Sequence, residues 1–301
     1  MIKSYNNFVF EKVGVNDDVI KLSNFISKYI HLKGKVSKEY VINKKDLPDD
    51  INLPINKLVI YYEPIKKGDK NYAYLDVRKS KRFKSGNVEI YIVLRTLKKS
   101  IIYHEINHAL QFINLGKYKM IRKGKMSILY NNIENDFKDK KVKSFLYLLY
   151  RSDELEVSSN IIQFYGQLKG LMKKYIKDFK IKFKDKMDNE EMQKYIDKWK
   201  KKYFINTLKN RDIYRTAKII NNIDLFEYFE NADKDEVIKL FTLLSFIDKN
   251  NKIIKKSLVL NPIDDNELEK EIQKYQNMMN NMGRKMLIKI GKVWDLLNDI
   301  K

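Results

Sequence analysis

Between residues 17 and 32 the apolar side chains Val19, Ile20, Leu22, Phe25, Ile26, Tyr29 and Ile30 return every three or four positions, which predicts an amphipathic helix. Around that segment the period shortens to two. Residues 8–10, 57–63, 72–77 and 88–94 are short β-branched and aromatic runs bounded by Gly, Pro, Asn and Asp, and they read as strands. The basic stretch 78–87 reads as a hairpin connection, with Ser85-Gly86-Asn87 as its turn.

The second half follows a different pattern. Proline is absent from Ile65 through Asn261 and glycine from Leu171 through Met282, so nothing interrupts long helices there. Helical periodicity covers 155–186, 189–208, 212–230, 234–248 and 266–298, and Asn261-Pro262 before Asp264-Asp265 reads as a stop followed by a fresh cap. The expected fold class is α+β: a small N-terminal β-sheet and a site helix, followed by a mainly α-helical C-terminal lobe. The expected division is a core over residues 1–170 and the lobe over 171–301.

Composition narrows the class. An apolar fraction of 44% and a charged fraction of 33% over 301 residues suit a folded chain with a large core. The most apolar run, 240–247, is too short to span a bilayer, and the N-terminus lacks the apolar region of a secretory signal. A cytoplasmic location is the expectation, in a bacterium or from a phage genome, with packaging into a virion leaving no mark on the sequence. The chain has no cysteine, so a metal has to be held by His, Asp or Glu. A net charge of +22 admits an acidic partner or a nucleic acid. The lysines are nevertheless scattered along helices with few arginines, as on an ordinary solvated surface.

Chemistry concentrates at His104-Glu105-Ile106-Asn107-His108, in a helix predicted over 96–115 and closed by Gly116. His104 and His108 are one turn apart, so both imidazoles leave the same face and can meet one zinc ion. Glu105 lies roughly 100° round the helix. There it can take a proton from a zinc-activated water and pass it to a leaving amine. Two of the chain's three histidines are in this motif; the third, His31, belongs to the early helix.

A third ligand is sought among Asp153, Glu154 and Glu156, at the start of the next long helix. Glu154 shares its helical phase with Val157, Ile161, Tyr165, Leu168 and Met172, which places its carboxylate on the packed side. Glu156 falls with Asn160, Gln163 and Gln167 on the polar side. A carboxylate on an apolar stripe calls for a cation, so Glu154 is the first choice, Glu156 the second and Asp153 the third.

A His-Glu-x-x-His helix followed by a helix bearing a third glutamate resembles the gluzincin class of zinc metallopeptidases. It is similar in particular to small zincin-like peptidases of tailed phages and low-GC bacteria. Their third-ligand helix shows a Glu-aliphatic-polar-small pattern; here it reads Glu154-Leu155-Glu156-Val157, with Val at the small position. The resemblance spans residues 88–170. It implies a zincin-like core, Zn2+ as cofactor, His104, His108 and Glu154 as ligands, Glu105 as general base, and a protein or peptide substrate. It further implies that strand 88–94 borders the cleft and pairs with an extended substrate. A tyrosine would stabilise the developing oxyanion, with Tyr147 and Tyr150 as candidates and Tyr103 behind them.

Two other functions compete with hydrolysis. One is a virion or assembly protein on a zincin scaffold; the other is a nucleic-acid-binding protein that uses the basic helical half. The aromatic residues Tyr195, Trp199, Tyr203 and Phe204 accompany lysines, but their spacing reads first as an apolar stripe rather than a base-stacking platform. No nucleophile elbow, phosphate-binding glycine loop or dinucleotide fingerprint occurs.

Overall fold

The structure, a computed structural model, describes residues 16–34, 38–51, 53–64, 73–77, 79–83, 87–184, 186–250, 260–298 and 300. The strand expected at 8–10 and the turn at Ser85-Gly86 lie outside these residues. Helix α1 (Asn16–Leu32) forms where the apolar period predicts it, and it buries Val19, Leu22, Ile26 and Ile30 on one stripe. The strands follow as β1 (Lys38–Asn43), β2 (Ile55–Tyr62), β3 (Ala73–Leu75), β4 (Lys81–Arg82) and β5 (Val88–Leu94). The helices after them are α2 (Lys99–Lys123), α3 (Lys125–Ile133), α4 (Lys140–Ser152), α5 (Glu154–Phe183), α6 (Asn189–Lys209), α7 (Asp212–Asn222), α8 (Leu225–Phe229), α9 (Lys234–Asn250) and α10 (Asp265–Asn298). The class is α+β with a small mixed sheet.

The sheet order is β1-β2-β5-β3, with β4 also pairing β5. β2 and β5 run parallel, and every other pairing is antiparallel. Val88, Ile90, Ile92 and Leu94 alternate inward along β5, the period of a strand with one packed face. β5 is flanked on both sides, by β2 on one and by β3 and β4 on the other. Between the two short strands, the Tyr91 amide donates to Ser80 Oγ and the Tyr91 carbonyl accepts from the Asp76 amide. Strand 88–94 therefore offers no open edge to an extended substrate, contrary to what the resemblance implies.

Two compact units emerge. One comprises Met1–Met120 with Ser158–Tyr175, and the other Ile121–Val157 with Ile176–Lys301. This differs from a single cut at residue 170: α3 and α4 go with the helical unit, and the middle of α5 goes with the sheet. α5 itself runs unbroken across the boundary at Val157/Ser158.

The first unit crosses α2 and α5 at a glycine. A Cβ on Gly166 would lie 3.0 Å from a ring carbon of Tyr103, so the absent side chain is what lets that ring in. Gly116 has φ +71°, a conformation other residues rarely adopt, so the stretch that carries His104 and His108 closes there as the sequence predicts, and a second helical stretch continues α2 beyond the kink to Lys123.

In the helical unit, Phe145, Phe229, Phe241 and Tyr275 form an aromatic core, with ring centroids 5.2–6.0 Å apart along its contacts. Gly283 of α10 meets the backbone of Asn221 of α7, where a Cβ would come within 2.4 Å of the Asn221 nitrogen. The single helix expected over 212–230 divides into α7 and α8. Asp224 caps α8 by accepting from Phe226 N and Glu227 N, and Gln276 of α10 bonds both Ile223 O and Leu225 N. The break is stable because all these backbone groups find partners. Among the described residues no helix is long and apolar enough to cross a membrane.

Candidate metal centre

α2 is apolar around most of its circumference: Ile102, Tyr103, Ile106, Ala109, Leu110, Phe112 and Ile113 are all buried. One narrow stripe is polar. It consists of His104, Asn107, His108 and Gln111, spaced i, i+3, i+4 and i+7. α5 carries a matching stripe at its N-terminal end, of Glu156, Ser159 and Asn160. The two stripes meet. Asn107 Nδ2 donates to Ser159 Oγ at 2.9 Å, and Ser159 Oγ lies 3.3 Å from His108 Nδ1.

Three donors converge there. His104, His108 and Glu156 each offer a ligand atom, and these atoms lie within 4.8 Å of one another. The imidazoles stand nearly perpendicular, with centroids 4.7 Å apart and Nε2 to Nε2 3.1 Å. His108 Nδ1 lies 2.7 Å from Gln111 Oε1, an acceptor that suits a proton on Nδ1 and frees Nε2 for the centre. Such an orienting bond on the far nitrogen is what a ligating histidine needs. Glu105 is buried, with 6% exposure.

The three acids at the head of α5 take three different roles. Asp153 is the N-cap: its carboxylate accepts from Leu155 N at 3.0 Å and from Ser127 N at 3.4 Å. Glu154 is exposed in the first turn, where a negative charge suits the helix dipole. Glu156 is buried and belongs to the group with the histidines. The phase argument for Glu154 fails for a physical reason: the apolar stripe of α5 begins at Leu155 and Val157, and extending it back to Glu154 reaches the open end of the helix. The polar stripe of Glu156 faces the histidines rather than solvent. Phase separates the two faces of a helix without saying which one is buried.

Tyr150 is drawn to the same carboxylate, its hydroxyl donating to Glu156 Oε2 at 3.3 Å. Its ring stacks on Tyr130 at 5.2 Å and 18°, and Tyr147, partly exposed, completes the cluster 6.0 Å from Tyr150. Burial and the Glu134 carboxylate push the Tyr130 hydroxyl up to about 12. Tyr103 turns its ring to Gly166, and burial raises its pKa. His31 is exposed in the last turn of α1.

No family model, curated protein or solved structure matches the chain. The sequence signal that could have found Glu156 was present: a polar i, i+3, i+4 stripe on α5 opposite the equivalent stripe around two histidines.

Proposed function

We propose that this chain is a zinc-dependent metallopeptidase with a zincin-like core, in which His104, His108 and Glu156 hold the metal. The observation that carries the reading is the grouping of two histidines of a His-Glu-x-x-His helix with the buried Glu156 carboxylate of α5. The donor set fits zinc: nitrogen and carboxylate ligands, with Gln111 beside His108 Nδ1 to orient the ring. Bound there, zinc supplies Lewis acidity, polarising a carbonyl and bringing the pKa of a coordinated water towards neutrality.

The remaining work falls to side chains. Glu105, the residue after His104, accepts a proton at its carboxylate and returns it to the leaving amine. Burial of Glu105 and of the polar stripes limits water around that transfer. Tyr150 orients the Glu156 carboxylate through its hydroxyl, which supports a positioning role in place of direct oxyanion contact. A structural zinc site has no use for a glutamate placed as Glu105 is, which favours hydrolysis over an assembly protein on the same scaffold.

Elemental analysis of purified protein tests this directly. About one zinc per chain is expected, lost in His108→Ala and Glu156→Ala and kept in Glu154→Ala and Glu105→Gln. Peptide hydrolysis should disappear in Glu105→Gln with the metal still bound. A wild-type protein that takes up no zinc, even with metal supplied, overturns the reading.

A further inference from the structure

α6 repeats one dipeptide on three successive turns: Lys194-Tyr195, Lys198-Trp199 and Lys202-Tyr203. The spacing of four places each pair roughly 6 Å further along the helix, on a slowly drifting stripe. These aromatics are not the core residues of α6. That role belongs to Met192, Ile196, Lys200 and Phe204, which are buried, with Phe204 against Trp294 of α10. Of the four aromatics Phe204 is buried, Trp199 and Tyr203 are half-buried and Tyr195 is exposed. Trp199 and Tyr203 stack with centroids 4.9 Å apart and planes 14° from parallel, and Tyr195 is 52% exposed with its ring along Phe179 of α5.

Charge accompanies the rings. Residues 198–209 contain five lysines and no acid. Neither Lys198 nor Lys202 has an ion-pair partner among the described residues, and Lys194 pairs only with Glu190 on an exposed face, a contact of little strength. Within the helical unit the positive excess is local. Residues 176–209 hold eleven lysines against six acids, whereas the unit's other residues hold 24 basic against 21 acidic side chains.

We infer that this face of α6 binds single-stranded nucleic acid, with the Tyr195–Trp199–Tyr203 ladder stacking bases and Lys194, Lys198 and Lys202 meeting the phosphates. A ligand with flat rings at intervals along an anionic backbone matches a helix with flat rings at intervals beside cations. A duplex hides its base faces and can use only the lysines. The surface is independent of the metal centre, so either proposal can stand without the other.

The chain has two tryptophans, so Trp294→Phe leaves Trp199 as the single reporter. That variant is titrated, with chelator present, with oligo-dT of roughly 12 nucleotides, a site size in the range such surfaces cover. Expected is saturable quenching of Trp199 that favours the single strand over a duplex of equal length and weakens with salt. Adding Lys198→Ala and Lys202→Ala should lower the log–log salt slope by about 1.4, two single-strand phosphate contacts. Tyr203→Leu, with circular dichroism confirming the fold, should weaken binding roughly tenfold. The inference is overturned by absence of binding at about 20 mM salt, by equal quenching with duplex, or by binding indifferent to Tyr203→Leu. It is also overturned if mixed phosphatidylserine–phosphatidylcholine vesicles quench Trp199 and displace the oligonucleotide, which would make the face a lipid contact.

Discussion

Two clusters of polar side chains lie within this molecule, and they differ in what they have been given to pair with. In the helical unit Asp248 receives the amines of Lys125 at 2.8 Å and Lys274 at 2.9 Å and the hydroxyl of Tyr275 at 3.2 Å. Lys274 also meets Glu271 at 2.9 Å, and Glu271 accepts from Ser245. Two carboxylates face two ammonium groups, so the network neutralises itself. At the candidate metal centre the convergent groups are two imidazole nitrogens and a carboxylate, groups able to donate electron pairs. Gln111 Oε1 and Ser159 Oγ lie 2.7 and 3.3 Å from His108 Nδ1, on the far side of the ring from His104. A closed charge balance is the mark of a cluster that stabilises; a convergence of donors is the mark of one built to receive something.

The comparison breaks most visibly at Asp248. Asp248→Ala leaves two lysines and a tyrosine hydroxyl without their shared acceptor and should cost about 3 kcal/mol, read from urea unfolding. Burial pushes the Asp248 pKa up, but Lys125 and Lys274 outweigh it, and the carboxyl is held below its ordinary value. The unfolded chain therefore binds this proton more tightly. The contribution is complete above about pH 4 and is lost as pH falls through the lower folded pKa. Lys274 shifts the other way: burial lowers its pKa, Glu271 and Asp248 raise it, and the net movement is upward. Its contribution is complete below the unfolded lysine pKa of about 10.4 and fades as pH rises beyond that. Asp248→Asn should flatten the acid limb of the stability profile. An unchanged acid limb would mean the network is not held by charge.

The metal centre should respond to what the Asp248 network ignores. Zinc at about 100 times its Kd adds about 2.7 kcal/mol to the wild type, visible as a rise in Tm that chelator reverses. His108→Ala and Glu156→Ala should abolish that rise, and Asp248→Asn should keep it in full from a lower starting point. Equal stabilisation of wild type and His108→Ala would place the zinc elsewhere and dissolve the distinction between the clusters.

Most of the helical unit was legible because Pro and Gly punctuate so little of it; α6, α9 and α10 fall within a few residues of their apolar periodicity. Three things were not. β1 and α3 lie in segments whose short mixed patterns give no clear period, whereas α4 carries one in Val142, Phe145, Leu146 and Leu149 that was legible and not used. The break between α7 and α8 depends on Gln276, some 50 residues away, which no local pattern contains. The phase reading favoured Glu154, two residues from the Glu156 that groups with the histidines, because a polar stripe reads as solvent-facing until another polar stripe is found opposite it. The His-Glu-x-x-His helix was legible since its chemistry is local to one turn. The Glu156 partnership is between helices and was not.

The smallest effects separate the three acids at the head of α5 and so sharpen the contrast between a donor that holds the helix and a donor that faces the centre. Asp153→Ala removes an N-cap and should cost about 1 kcal/mol in urea unfolding. Glu154→Ala should cost about 0.5 kcal/mol or less, because its charge is exposed in the first turn, where salt screens its interaction with the helix dipole. Both variants should hold as much zinc as the wild type. Glu156→Ala reverses the pattern, with little change in the metal-free protein's stability and loss of the zinc-dependent part. If Glu154→Ala instead releases zinc, the first turn of α5 rearranges around the metal, and the ligand chosen from helical phase is the one the bound state uses.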